Sequence, residues 1–451
     1  MERPDHTPAP KSVRWVLMTI VILCVSVRLT LLIVNIGDRP RLYLPDAQGV
    51  IASIEDPSRP NIHPIGFEYS NIAYALLATD EGFASPFGGR TGPTAWSAPG
   101  PVLLFVAVFA AFGPFSPGSV LALYAFALLV SAALTLIVFA VSRDLFDDPV
   151  LAALSAGLFA LAPYDAWIFR SGQVFDLNLC TLLFATLLWL GVRAVRYPSM
   201  ARMMLLAFAT AGALYFYPRM IAPAGVAAVV ATWRLPWRRR LQQLGAFALI
   251  VSAIVGPYVW YQSSRIGALV FIKSNPPFEL FLGNTPEARG LLTAKAFRTH
   301  HPSQSVSAYR RYQRLGEAGF LAESKERFAE SFDAHTFMTY TLRRILYFFF
   351  VYQTQGWDDT LFIIVAKKGL WALLGVTLLG HALLRRSRMS RGELLVQLVC
   401  LAYAAPYLLV SVMDRYKTPI APAVIVLLAS LGWRWGLRPQ DRHSREPRGD
   451  G

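Results

Sequence analysis

An all-α fold that crosses a membrane many times is what this sequence predicts, and three observations predict it. Apolar residues make up 55% of the 451, and they fall in long uncharged runs rather than at the spaced positions of a soluble core. Charged residues amount to 16% and gather between those runs. The net charge of +15 comes largely from arginine clusters placed at the run ends.

Crossing the hydrocarbon takes about 20 helical residues. The first run, RWVLMTIVILCVSVRLTLLIV (14–34), exceeds a signal-peptide core and has no clear small-residue cleavage site, so it reads as an uncleaved first span. Further spans are expected at 119–142, 150–169, 174–194, 203–218, 220–233, 243–262, 366–385, 393–413 and 418–435. That makes about ten, in one unit over 14–436. The flanks 1–13 and 437–451 read as disordered cytoplasmic ends. Basic clusters at Arg193, Arg196 and Arg202, at Arg234 and Arg238 to Arg240, at Arg385, Arg386, Arg388 and Arg391, and after Arg434 set the cytoplasmic side. The excess charge is therefore topological and does not indicate nucleic acid.

With those clusters inside, two long loops lie outside, 37–118 and 263–357, and they must carry most of the polar chemistry. PVLLFVAVFAAFG (101–113) spans only about 20 Å as a helix, so it is expected along the outer interface. FMTYTLRRILYFFFVY (337–352) mixes Arg343 and Arg344 with aromatics and is expected there too. Pro218 and Pro223 interrupt 203–233, which predicts two short helices meeting near FYPRMIAP. No repeat and no inverted pair of broken helices is apparent, which speaks against a transporter or flippase. Cys24, Cys180 and Cys400 fall inside apolar runs and read as packing residues. Arg28, inside the first span, calls for a partner within the bundle.

GFEYSNIAYALL (66–77) predicts a short surface-riding helix with an apolar stripe of Tyr69, Ile72, Ala73, Leu76 and Leu77, while Ser70 and Asn71 point elsewhere. Glu68 sits at its N-terminus, where a carboxylate suits the helix dipole and is also held rigidly enough to act as a base. Together with the glycine-rich GFASPFGGRTGPTAW (82–96), this stretch resembles the first external loop of bacterial GT-C glycosyltransferases. The family 39-like group is the best fit, with its protein O-mannosyltransferases and aminoarabinose transferases. FRSGQVFDLN (169–178), FLGNTPEARG (281–290) and DRYKTPIAP (414–422) are similar to later segments of such enzymes. The mannosyltransferases carry an adjacent Asp-Glu pair in the first loop, whereas here Glu68 stands between Phe67 and Tyr69.

The resemblance implies a GT-C-like bundle with juxtamembrane helices in the external loops. It implies a hexosyl or pentosyl transferase in the bacterial cytoplasmic (inner) membrane, with its active site facing outward. Such an enzyme moves a sugar, with inversion, from a polyprenyl-phosphate donor to a glycan, lipid or protein acceptor. Glu68 is then the catalytic base, chosen over Asp46, Glu55, Asp80 and Glu81. The departing phosphate needs fixed cations, and Arg170, Arg219, Arg415 and Lys417 are placed for it, with Lys367, Lys368, Arg343 and Arg344 near the same level. Each has an alternative reading in snorkelling or anchoring at the interface. Asp176 and Asp165 lie near Arg170 and pair with it on the structural reading; Tyr69, Trp96, Tyr164 and Tyr416 offer faces for sugar rings or belong to the interfacial belt. Adjacent His300 and His301 point apart, and a divalent metal is not indicated. The basic, helix-prone stretch 286–335 is placed to cap the cavity or to meet the acceptor. A lipid-linked glycan polymerase or ligase shares the same plan.

Overall fold

The computed structural model describes residues 11–38, 40, 44–58, 60, 61, 63, 65–162, 176–351 and 361–433. Arg170, Asp165, Tyr164, the side chains of Asp176 and Lys367, and both tails lie outside the described residues. The described chain is all-α, with only isolated β-bridges between loops. In chain order the helices are α1 (Lys11–Asp38), α2 (Ala47–Glu55), α3 (Phe67–Ala78), α4 (Pro99–Phe112), α5 (Pro117–Phe146), α6 (Pro149–Leu161) and α7 (Asp176–Arg196). Next come α8 (Met200–Phe216), α9 (Ile221–Thr232), α10 (Trp237–Ile266), α11 (Pro276–Gly283), α12 (Ala294–His300) and α13 (Val306–Ser331). The last four are α14 (Ala334–Phe349), α15 (Leu361–Arg385), α16 (Arg391–Leu409) and α17 (Ala421–Gly432).

Among the described residues, five helices are long and apolar enough to cross a membrane: α1, α5, α7, α10 and α16. Of the other expected spans, α6 stops at Leu161, and α8, α9 and α17 are short, with 17, 12 and 12 residues. Their ends follow from local chemistry. Ser116 and Asp148 accept backbone N–H bonds ahead of Pro117 and Pro149, and Ser390 with Glu393 forms a reciprocal cap on α16. α8 and α9 meet through a single 3₁₀ turn, Pro218–Met220, as the prolines predict. α7 lies centrally against α5, α8, α9 and α16, so its core face is apolar nearly throughout. Arg28 finds its partner in the bundle, donating 2.8 Å to the carbonyl of Ala160 in the last turn of α6.

The loops between spans build two further cores. One joins α3 to α4 and the start of α5 through Ile72, Phe105, Phe109, Phe115 and Tyr124. The other is aromatic, with Phe87, Trp96, Phe278, Tyr309, Tyr312 and Phe320. The 101–113 helix is therefore protein-facing on one side, where Val102, Phe105 and Phe109 are buried.

Two expectations need correction. Ser70 and Asn71 do not point away from the α3 core; both are wholly buried, bonding to His63 at 3.2 Å, and Asn71 also donates to the Pro86 carbonyl. Arg344 is not an interfacial cation, because it is buried with 0% exposure. It donates to the carbonyls of Gly283 (3.0 Å), Gly290 (3.3 Å) and Leu408 (3.3 Å) and to Asn284 Oδ1 (2.6 Å), and so clasps the GNTP segment to the end of α16. Gly283 is required there, since a Cβ would stand 1.7 Å from the Val410 carbonyl oxygen.

Candidate functional site

A cavity of about 860 Å³ opens where the loops 63–69 and 269–304 meet the turn after α8 and the turn before α17. Its best-defined wall is the start of α3. Gly66, the N-cap, adopts a left-handed conformation (φ 53°, ψ 51°), and a Cβ there would press on the Phe105 ring at 3.0 Å. That turn puts Glu68 in the first helical turn, with its side chain 20% exposed. Trp96 Nε1 donates to Glu68 Oε1 at 3.0 Å, and His301 Nε2 lies 3.9 Å from the same oxygen. The Ser303 N–H donates into His301 Nδ1 at 3.1 Å, so the proton of the neutral ring sits on Nε2 and is directed at Glu68. Burial, with Arg415 adding to it, lowers the His301 pKa to about 3, and the imidazole remains neutral at ordinary pH.

Trp96 is held in place from behind. Glu317, 4% exposed, accepts from the Ala95 N–H (2.8 Å), from Tyr312 OH (2.8 Å) and from Thr94 Oγ1. Thr94 Oγ1 in turn accepts the Trp96 N–H at 2.9 Å. A saturated carboxylate on α13 thus fixes the glycine-rich loop, and the loop fixes the indole that orients Glu68. His63 works similarly on the other flank: its Nδ1 accepts the Ile65 N–H and its Nε2 meets Asn71, while burial lowers its pKa to about 4.

The second wall follows α10. Lys273 N–H bonds back to the Phe271 carbonyl at 2.7 Å around Ile272, whose φ of 65° is a costly conformation for a β-branched residue. Ile272 is buried, while Phe271 and Lys273 line the cavity. Asn275 and two prolines then start α11, with Glu279 in its first turn. Burial, with a contribution from Glu68, raises the Glu279 pKa to about 7 against the partly offsetting Lys273 and Arg415. The α11 loop is strapped to 410–412 by the Leu292 N–H to Val412 carbonyl bond (3.3 Å), which brings Arg415 and Tyr416 into the same space.

Arg219 lines the third wall. Its guanidinium lies over the rings of Tyr217, Tyr403, Tyr407 and Tyr416 at 5.1 to 5.9 Å and donates to Cys180 Sγ at 3.0 Å. Among the described residues no carboxylate pairs with it, and its Nε has no hydrogen-bond partner.

The structure brings Glu68, Tyr69, Arg219 and Arg415 to one cavity and places Trp96 directly behind Glu68. Lys417 is elsewhere: 1% exposed, it donates to Asp414 Oδ1 (2.8 Å) and to the Val351 carbonyl beneath the Trp371 ring, so its charge is spent inside the bundle. His300 turns away from His301 and pairs with Glu287 at 3.3 Å. Residues missed in the sequence are Glu279, Lys273, Asn275, His301 as a neutral donor, and the Glu317 clamp. One signal was present: Asn-Pro-Pro-Phe-Glu (275–279) is a helix start with an acid in its first turn, set inside a loop already marked as functional.

No known protein family and no curated protein matches the chain. Among solved structures, the apo oligosaccharyltransferase of Archaeoglobus fulgidus is similar at 12% identity and a TM-score of 0.51, over 93% of this chain and 50% of that one. The same enzyme in complex with an inhibitory peptide and a dolichol-phosphate aligns over the same shares at 15% identity, with a TM-score of 0.47. This chain spans about half the length of those structures. The first likeness shows the fold, an all-α bundle shared with that structure.

Proposed function

We propose that this chain is an inverting glycosyltransferase of the family 39-like group that transfers a sugar from a polyprenyl-phosphate donor to an acceptor at the outer face of a bacterial cytoplasmic membrane. The observation that carries the reading is one cavity holding a partly exposed carboxylate, Glu68, together with two arginines, Arg219 and Arg415. The fold supports the class, since the similar archaeal structure is an oligosaccharyltransferase.

In the reaction, the acceptor hydroxyl oxygen attacks the anomeric carbon, and its proton passes to the Glu68 carboxylate. The bond from the anomeric carbon to the phosphate oxygen breaks, and its electron pair leaves with the polyprenyl phosphate. Arg219 and Arg415 stabilise that growing negative charge; the guanidinium fork suits phosphate geometry. Trp96 and the neutral His301 orient Glu68 without protonating it. Tyr69 at the cavity edge offers a ring face to a sugar. Arg170 and Asp176 stay in the proposal as sequence-level candidates for the phosphate side.

The test is transfer from radiolabelled polyprenyl-phosphate sugars in membranes carrying the wild-type chain or Glu68→Gln. Wild type should transfer and the variant should not. Equal transfer by both would remove Glu68 as the base.

A further inference from the structure

Glu279 has fewer partners than a structural carboxylate would. It takes a single hydrogen bond, from Asn275 Nδ2 to Oε1 at 3.3 Å; among the described residues nothing bonds its Oε2, and no lysine or arginine forms an ion pair with it. Glu317, by contrast, is saturated by three donors. A half-buried carboxylate with unused acceptor capacity is open to a donor that arrives through the cavity. Its surroundings suggest what arrives. Asn275 and Gln304 supply amides to the same cavity, Lys273 and Arg415 supply donors, and Phe271, Phe297 and Tyr416 supply planar faces. A few fixed polar groups among aromatic rings make a pocket that reads hydroxyl groups.

The position of Tyr416 selects which sugar. Its phenol bonds Arg415 and lies within electrostatic reach of both Glu279 and Arg219. Its ring lies 5.9 Å from the Arg219 guanidinium. Glu279 and the two arginines therefore share one cavity wall through Tyr416, which puts Glu279 beside a sugar esterified to a phosphate held by the arginines.

We propose that Glu279, with Asn275 and Lys273, binds the hydroxyl groups of the donor sugar and restricts the donor to sugars that carry no carboxylate. This rests on the lipid-phosphate reading above. A uronic acid would bring a third carboxylate into a space already shared by Glu68 and Glu279, and like charges at such range repel.

The experiment measures equilibrium binding to the purified full-length chain. The probes are bare polyprenyl phosphate and a panel of polyprenyl phosphates bearing neutral hexoses, pentoses or a uronic acid. Wild type should bind at least one neutral-sugar carrier about five- to tenfold tighter than bare polyprenyl phosphate, the preference expected from a hydrogen bond or two. Glu279→Met should abolish that preference while the chain still folds and still binds bare polyprenyl phosphate. Glu279→Gln, which keeps a donor and an acceptor, should retain most of it. Glu279→Ala repeats the measurement should the Met variant not fold. An equal preference in wild type and the Met or Ala variant overturns the assignment, and so does a wild type that favours the uronate or ignores the sugar. A wild type that binds neither probe class overturns the lipid-phosphate reading first and the sugar site with it.

Discussion

Two arginines mark two regions of this molecule, and their surroundings differ in kind. Arg344 gives its N–H groups to three backbone carbonyls and two side-chain oxygens and has no exposure left. Arg219 rests among four tyrosine rings with its Nε unpartnered and lines a cavity. The same contrast separates Glu317 from Glu279. A charge whose bonds are all filled from within holds the chain together, whereas a charge left partly unfilled beside a cavity is available to something from outside.

The largest effect that would sharpen this contrast comes from Glu68→Gln in the cavity region. Sugar transfer should fall by about 10² to 10⁴-fold, the usual range for removing a general base. The melting temperature should stay close to wild type, because Trp96 can still donate to an amide oxygen. A large loss of stability without loss of transfer would move Glu68 into the structural class.

Next is Arg344→Ala, which should destabilise the chain by about 3 kcal/mol or more, because several buried carbonyls lose their donor together. Arg344→Lys should not restore it, since one ammonium cannot reproduce the fork. Folded fraction by size exclusion and thermal unfolding reports both. Arg219→Ala should do the opposite, weakening polyprenyl-phosphate binding about tenfold while shifting the melting temperature little. If both arginine variants unfold the chain alike and neither affects lipid binding, the division drawn here is wrong.

The spans were legible because hydrocarbon leaves a helix no other way to satisfy its backbone, so α1, α5, α10 and α16 announce themselves as apolar runs. The short helix that carries Glu68 in its first turn was legible as a local pattern, whereas the role proposed for Glu68 comes from the family resemblance. Arg344 was misread since an arginine beside aromatics has the same local composition in an interfacial helix as in a buried clasp. Lys417 was misread for a similar reason: Asp414 is a local partner, but the Val351 carbonyl that draws its ammonium into the bundle is 66 residues away. Glu279, His301 and Glu317 were not legible at all as parts of one site, because they join it only when α3 and the loop at 82–98 meet segments about 200 residues later. Ala95 and Glu317, for example, are 222 apart.

The smallest expected effect is in the pH dependence of stability, and it tests whether Glu279 is as unfilled as its contacts indicate. Its pKa is raised from 4.5 to about 7, by burial first, with Glu68 adding and Lys273 and Arg415 opposing. The folded state therefore holds the proton more tightly than the unfolded chain. Its stabilising contribution is complete below about pH 4.5 and is lost as the pH rises through about 7. His301, lowered to about 3, is neutral throughout that window, and the Tyr416 phenol is shifted upward, away from it. The melting temperature of wild type minus that of Glu279→Gln should thus decline between pH 5 and pH 8, since groups common to both cancel. A flat difference would mean that Glu279 is already ionised with its acceptors filled, and the cavity would lose its second unfilled charge.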